Sequence, residues 1–337
     1  MFRRGMRNMF LITGTVMGAG YASGREIWQF FGPGSGLAIM IFTVLFIFCT
    51  TTLLNISYKN KTTNYLPVLE KLTSKRIAHI YDYMILVYLF CVTVVMIAGS
   101  GATFETFGLP FWSGILFIFI GLIIIFSRGI NEMLNINQVL MPLLIIALIF
   151  VLIAFIHDEN ISLLDKWQYQ SNWTAAFPFT SLNVLPLVAV LGAIGNRIES
   201  KGEIYISTIM SGGILGMITL LYNRSLVHVA GEINLPSIPL FTIINNYHTG
   251  IMIMMMIMLW IAIYTTAAAT LLGMVTRINN RYNLPLVKIA FFALLLMIPF
   301  SGIGFSQLVA IIYPLYGFLN LYLFMKLIVY PIWNKNR

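Results

Sequence analysis

The stretch "GTVMGAGYASGREIWQFF", residues 14–31, decides how the chain is read. It begins as apolar helix and then places Gly18, Gly20, Ser23 and Gly24 where a membrane helix would continue, with Arg25 and Glu26 directly after them. Gly14 with Gly18, and Gly20 with Gly24, each form a small-xxx-small pair, a spacing that lets a second helix pack closely. Packing accounts for one face only. It leaves Ala19, Tyr21, Ala22 and Ser23 among the glycines without a reason, and it does not explain two ionisable side chains at membrane depth or its edge, where charge is costly and serves function. The segment is therefore read as a true break in a spanning helix.

Composition sets the medium around that break. Of 337 residues 59% are hydrophobic and 9% charged, and mean hydropathy is +0.88, well outside the range of a soluble domain. The apolar runs reach about 20 residues, enough to cross roughly 30 Å of hydrocarbon as helix, and lack the alternation of barrel strands. The chain is read as an all-α integral membrane protein with about ten spans. They cover 6–31 (interrupted), 37–58, 77–105, 111–126, 134–157, 173–197 (interrupted), 203–226, 250–277, 286–300 and 305–330.

The net charge of +9 is distributed as a topology signal. Arg3, Arg4, Arg7, Lys59, Lys61, Lys71, Lys75, Arg76, Arg128, Arg197, Lys201, Arg277, Arg281, Lys335 and Arg337 fall on one side of the alternating loops. The opposite loops hold little beyond Lys166 and Arg224, with Asp158, Glu159, Asp165 and Glu232. The positive-inside rule then puts both termini in the cytoplasm, in the inner (cytoplasmic) membrane, and argues against nucleic acid as a partner. Arg3, Arg4 and the apolar run after them imitate a cleavable signal peptide, but cleavage would leave an odd number of spans, so the segment is taken as the first span. Cys49 and Cys91 lie within spans and read as structural.

An echo of the break follows roughly 160 residues later. In "FPFTSLNVLPLVAVLGAIGN", residues 177–196, Pro178, Thr180, Ser181, Asn183 and Pro186 interrupt the sixth span. The first span of each five-span half is thus the interrupted one, and an odd number of spans per half inverts the second half relative to the first. The halves are 1–157 and 158–337. Paired interruptions in inverted halves point to a transporter's binding site. Unwound backbone in hydrocarbon needs a partner, and a polar solute supplies one: the half-helix starting near Ser23 suits a carboxylate, and carbonyls near Asn183 suit an ammonium or metal cation.

Five plus five inverted spans with broken first and sixth helices resemble the leucine-transporter fold of the amino acid, polyamine and organocation superfamily. The "GAGYASGREIWQFF" segment is similar to that of the bacterial YkvI-type membrane proteins, with their Gly-Ala-Gly-aromatic-Ala-Ser-Gly element, Glu-Ile and terminal Gln-Phe-Phe. The resemblance implies a coupling cation, Na+, between the first and eighth spans, held by carbonyls of Gly14 and Met17 and by an Ala-x-x-Thr-Ser-like element, here Ala262, Thr265 and Thr266. Two hydroxyls one residue apart suit a hard cation. Two departures limit the carry-over. Tyr21 stands where relatives have the Asn of a second sodium site, and the tenth span holds no acid to pair with Arg25, leaving Glu105 or Glu232 as partners, or a place for Arg25 in the membrane interface. The fifth span lacks the Lys of proton-coupled relatives, while Glu26 keeps a proton mechanism open.

The expected function is secondary transport of a small zwitterionic or amine solute by alternating access. The solute would be bound by Gly18, Ala19, Gly20, Tyr21, Ala22, Ser23, Gly24, Tyr88, Thr180, Ser181 and Asn183, with Arg25 and Glu26 in gating or proton coupling. A ligand-sensing receptor subunit on the same fold is the alternative. No carboxylate pair, histidine cluster or nucleophile with base recurs on the spans, so an enzyme is not expected, nor a cofactor beyond the coupling ion.

Overall fold

Long runs of Leu, Ile, Phe, Met and Val are set as helices because in lipid only a helix satisfies every backbone group within its own segment. The computed structural model describes residues 1–128, 131–163, 170–230, 236–282 and 285–334. The first span is α1 (Phe2–Val16), α2 (Ala19–Ala22) and α3 (Arg25–Phe31). It is followed by α4 (Gly36–Asn60), a short α5 (Leu66–Leu72), α6 (Lys75–Thr106), α7 (Phe111–Arg128) and α8 (Asn131–Asp158). The second half runs α9 (Ala176–Gly192), α10 (Lys201–Ala230), a short α11 (Pro239–Ile243), α12 (Thr249–Tyr282) and α13 (Leu286–Ser301). The last span is α14 (Phe305–Leu319) continued, past a turn at Asn320, by α15 (Leu321–Asn334). Each span expected from hydropathy is present within a few residues of its expected ends.

The packing partners exchange between halves. Helix α1 lies on α10 as α9 lies on α4, α7 on α6 as α13 on α12, α8 on α10 as α15 on α4, and α8 on α12 as α14 on α6. Those pairings are what two superposable five-span repeats produce, and they bring the two leading spans together at the centre. Small residues set the close crossings: a Cβ on Gly212 or Gly216 of α10 would run into Ile47 and Thr43 of α4. Phe179 of α9 fills a socket of aromatic rings from the first half, with centroids 4.6 Å from Phe31, 4.7 Å from Phe42 and 5.3 Å from Phe30.

Two expectations about the breaks need correction. Residues 18–23 are not unwound throughout. The chain leaves helix at two joints, Met17–Gly18 and Ser23–Gly24, with one helical turn between them. Gly24 takes the left-handed conformation, φ 78°, the geometry that glycine adopts without strain. The sixth span is not broken at Ser181–Pro186: α9 is continuous from Ala176 to Gly192 with Pro186 inside it. Proline removes one ladder bond, to the carbonyl of Leu182, but Leu182 and Pro186 both line a cavity, where that loss is tolerated. The span ends instead after Gly192, where the loop following α4 crosses so closely that a Cβ on Gly192 would sit 2.6 Å from the Tyr65 Cα. Thr62 donates to the Gly192 carbonyl at 2.7 Å, and the Asn196 N–H donates to the Thr62 carbonyl at 3.1 Å.

The Gly24 joint generates a test. A Cβ there would lie 2.9 Å from the Tyr222 ring on a backbone that L side chains disfavour. Gly24→Ala is expected to cost about 1–2 kcal/mol, seen as a lower Tm of detergent-purified protein.

Candidate functional site

At the first joint the helix ladder fails over several residues. The Met17 N–H still reaches the Thr13 carbonyl at 2.8 Å, but the Gly18 N–H turns back to the Val16 carbonyl at 2.8 Å. Among the described residues, the carbonyls of Gly14, Thr15 and Met17 and the N–H groups of Ala19, Gly20 and Tyr21 are thereby left without backbone partners. The chain has set polar backbone groups free inside the bilayer, where each needs protein, water or a ligand to take it up.

Gly14 and Thr15, with Gly18 at the joint, line a cavity of about 1410 Å³. Its deep end is lined by Gly18, Glu26, Tyr88, Asn183, Thr266 and Tyr313, and it runs between α1, α6, α9 and α12 to a mouth at Arg3, Arg7, Arg197 and Arg277. The cavity thus opens toward the face that carries the N-terminus. The other face is shut. The Tyr21 hydroxyl donates to the Leu215 carbonyl at 2.8 Å and meets Thr219 at 2.5 Å, and the Tyr222 hydroxyl donates to the Ala22 carbonyl at 2.5 Å. Asn223 donates to the Gly32 carbonyl at 2.8 Å. Helix α11 lies over the second joint, with the Leu240 N–H donating to the Ser23 carbonyl at 3.0 Å.

No family model matches the chain. Among curated proteins, it is 44% identical over 335 residues to the uncharacterized protein YyaD of Bacillus subtilis (strain 168), covering 99% of each chain. The chain belongs to the YyaD and YkvI family of membrane proteins. To the uncharacterized membrane protein YkvI of the same organism it is 28% identical over 326 residues, 93% of this chain and 92% of that one. Among solved structures, MhsT in complex with L-phenylalanine matches with a TM-score of 0.68 at 16% identity, over 96% of this chain and 88% of that one. The inward-facing conformation of Mhp1 matches with a TM-score of 0.59 at 15% identity, over 95% and 75%. At these identities the likeness establishes the fold, that of leucine-transporter-type secondary transporters.

Within this chain, the expected site residues divide. Gly18, Tyr88, Asn183 and Glu26 meet in the cavity together with Gly14, Thr265 and Thr266. Met17 and Ala262 are fully buried beside it, and the Thr265 hydroxyl donates to the Ala262 carbonyl at 3.2 Å. Ala19, Gly20, Tyr21, Ala22, Ser23 and Gly24 do not line it. They face the closed side or neighbouring side chains: Tyr21 serves α10, Ser23 donates to the Gly20 carbonyl at 3.0 Å, and Gly24 carries the Tyr222 ring. Thr180 donates to its own helix at Ala176, 2.6 Å away, and Ser181 is buried without a partner among the described residues. The Arg25 side chain has a buried Nε without a partner, and it forms no ion pair with Glu105 among the described residues. Glu232 lies outside the described residues.

Sequence reasoning gave no weight to a cluster at the cavity mouth. Buried Asp82 of α6 accepts from Tyr65, which leads into α5, and is ion-paired with Arg277 of α12. An acid at a span's end reads as an ordinary loop charge, and only the approach of α12 to α6 shows its partner. On the opposite wall Arg4 of α1 is ion-paired with Glu199, in the turn before α10.

The mouth yields a second test. Breaking a fully buried ion pair costs about 3–5 kcal/mol, but the Arg277 side chain is 50% exposed, so Asp82→Asn is expected to cost about 1–2 kcal/mol and lower the Tm. Asp82→Asn combined with Arg277→Leu should recover part of that loss, because the unpaired charge is gone.

Proposed function

We propose that the protein is a secondary transporter of a small amine or zwitterionic solute, driven by sodium and working by alternating access in the cytoplasmic membrane. The observation that carries this reading is the failed helix ladder at residues 14–21, opening onto a closed-ended cavity beside the hydroxyls of α12. A span with free backbone groups is expensive unless its partner is transient and useful. Thr265 and Thr266 both line the cavity, and a methyl of Thr266 is 3.7 Å from where a Gly18 Cβ would be. Free carbonyls of Gly14 and Met17, with the Ala262 carbonyl and the two hydroxyls, make an all-oxygen set of the kind a hard monovalent cation takes.

With the termini in the cytoplasm, as the distribution of Lys and Arg implies, the cavity opens inward. The two halves, 1–157 and 158–337, then supply α1–α4 and α9–α10 as a unit that rocks against α6, α7, α12 and α13. Hydrogen bonds support treating that first group as one body: Lys61 donates to the Ile198 carbonyl at 3.1 Å, and Thr51 of α4 donates to Thr208 of α10 at 2.8 Å.

Sodium dependence is the test. Solute uptake into proteoliposomes, or solute-induced stabilisation in detergent, should require sodium. Thr265→Val with Thr266→Val should weaken sodium activation by roughly tenfold or more, since the shape stays and two coordinating oxygens go. Uptake that ignores sodium but collapses with a protonophore would reject the sodium assignment.

A further inference from the structure

Among the described residues, Glu26 is the one acidic side chain on the wall of the cavity, and it sits at the deep end. It is 5% exposed and forms no ion pair among the described residues. Arg25 beside it on α3 does not line the cavity. The surroundings of the carboxylate are the Gly20 backbone, the Asn183 amide and the rings of Tyr88 and Tyr313. A buried carboxylate without a countercharge is among the costliest features a fold can keep, and inside a membrane it marks function.

Its position says which function. Glu26 Oε2 is 3.0 Å from where a Gly20 Cβ would lie, and the Tyr313 hydroxyl is 3.1 Å from the same point. The glycine therefore admits the chain's own side chains to the broken backbone, in the space a solute would need to bring a carboxylate there. Two carboxylates in one low-dielectric site repel each other. What the site lacks is a positive charge. Asn183 donates an amide N–H to the Phe179 carbonyl at 2.8 Å, and its oxygen accepts no hydrogen bond among the described residues, which leaves it available to accept from an ammonium. Tyr88 and Tyr313 bring aromatic rings to the same wall of the cavity, as a cation with a hydrocarbon body requires.

We propose that the solute is a small organic amine without a carboxylate, its ammonium held by Glu26 and Asn183 and its carbon body by Tyr88 and Tyr313. The proposal rests on the transporter reading of this cavity and narrows it from amines and zwitterions to amines alone. The mouth arginines do not oppose it. Arg4 and Arg277 are paired with Glu199 and Asp82, and Arg3, Arg7 and Arg197 are exposed, where water and salt screen them.

The experiment uses full-length protein in detergent with sodium present. Matched probes are phenethylamine, L-phenylalanine and 3-phenylpropionate, and 3-methylbutylamine, L-leucine and 4-methylpentanoate, each titrated by thermal shift and by intrinsic tryptophan fluorescence. At least one amine should bind roughly tenfold or more tightly than its matched amino acid, with no binding of the acid. Glu26→Gln should lose that binding by a similar factor, while Glu26→Asp keeps part of it. Binding of an amino acid more tightly than its amine, an amine bound equally by Glu26→Gln, or no binding by any amine would overturn the proposal. Should Glu26→Gln fail to fold, the wild-type ranking of the matched probes decides by itself. Proteoliposome flux separates the two readings: amine binding without flux rejects transport alone, and flux of amino acids without amines rejects the amine assignment alone.

Discussion

Hydrocarbon has no hydrogen bonds to offer, and the architecture follows from how the chain answers that fact. Nearly every span answers it as an uninterrupted helix. The first span instead leaves helix at Met17–Gly18 and again at Ser23–Gly24, and the rest of the fold accommodates it. Carbonyls above the second joint are taken up by Tyr222 and by the N–H of Leu240, so the closed side is satisfied by protein. At the first joint Gly14 and Thr15, whose carbonyls are free, line the cavity. One joint is thus structural, and the other is left for chemistry.

That division explains the arrangement of polar side chains. Asn172 donates to the carbonyls of Phe30 and Phe31 at 2.9 and 3.1 Å, completing the end of α3, and Asn223 does the same for Gly32. Many membrane threonines bond back to their own helices, as Thr50, Thr103 and Thr276 do. Thr93 and Thr270 join α6 to α12 at 2.8 Å. Against that background Glu26, buried and without an ion-pair partner among the described residues, stands apart.

Neighbouring helices at the mouth are held by charge as well as by packing. Asp82 ties α6 to α12 and to the approach of α5, while Glu199 ties the end of α1 to the turn before α10. The two pairs lie on opposite walls of the opening. A motion that closes the mouth must bring those walls together, and neither pair spans the gap in this state.

The sequence by itself determined the medium, the number of spans and the presence of a break, because twenty-residue apolar runs and a cluster of glycines at membrane depth have few physical readings. It also brought Gly18, Tyr88 and Asn183 forward as polar or small residues within spans, while Thr265 and Thr266 came forward through the resemblance to sodium-coupled transporters. It misplaced the second break. Pro186 forbids one hydrogen bond but does not forbid helix, and whether a helix tolerates that loss depends on its neighbours. It read Gly20 as an opening for solute, whereas Tyr313 and Glu26 approach that glycine, and only the packing of α14 and α3 against it shows this. Tyr21, expected in the site, points elsewhere because the helical turn between the two joints sets its direction, and Arg25 lies beyond the second joint on α3, off the cavity wall. Local chemistry was legible along the chain. Which face each side chain presents, and what meets it there, was decided by the crossing of helices far apart in sequence.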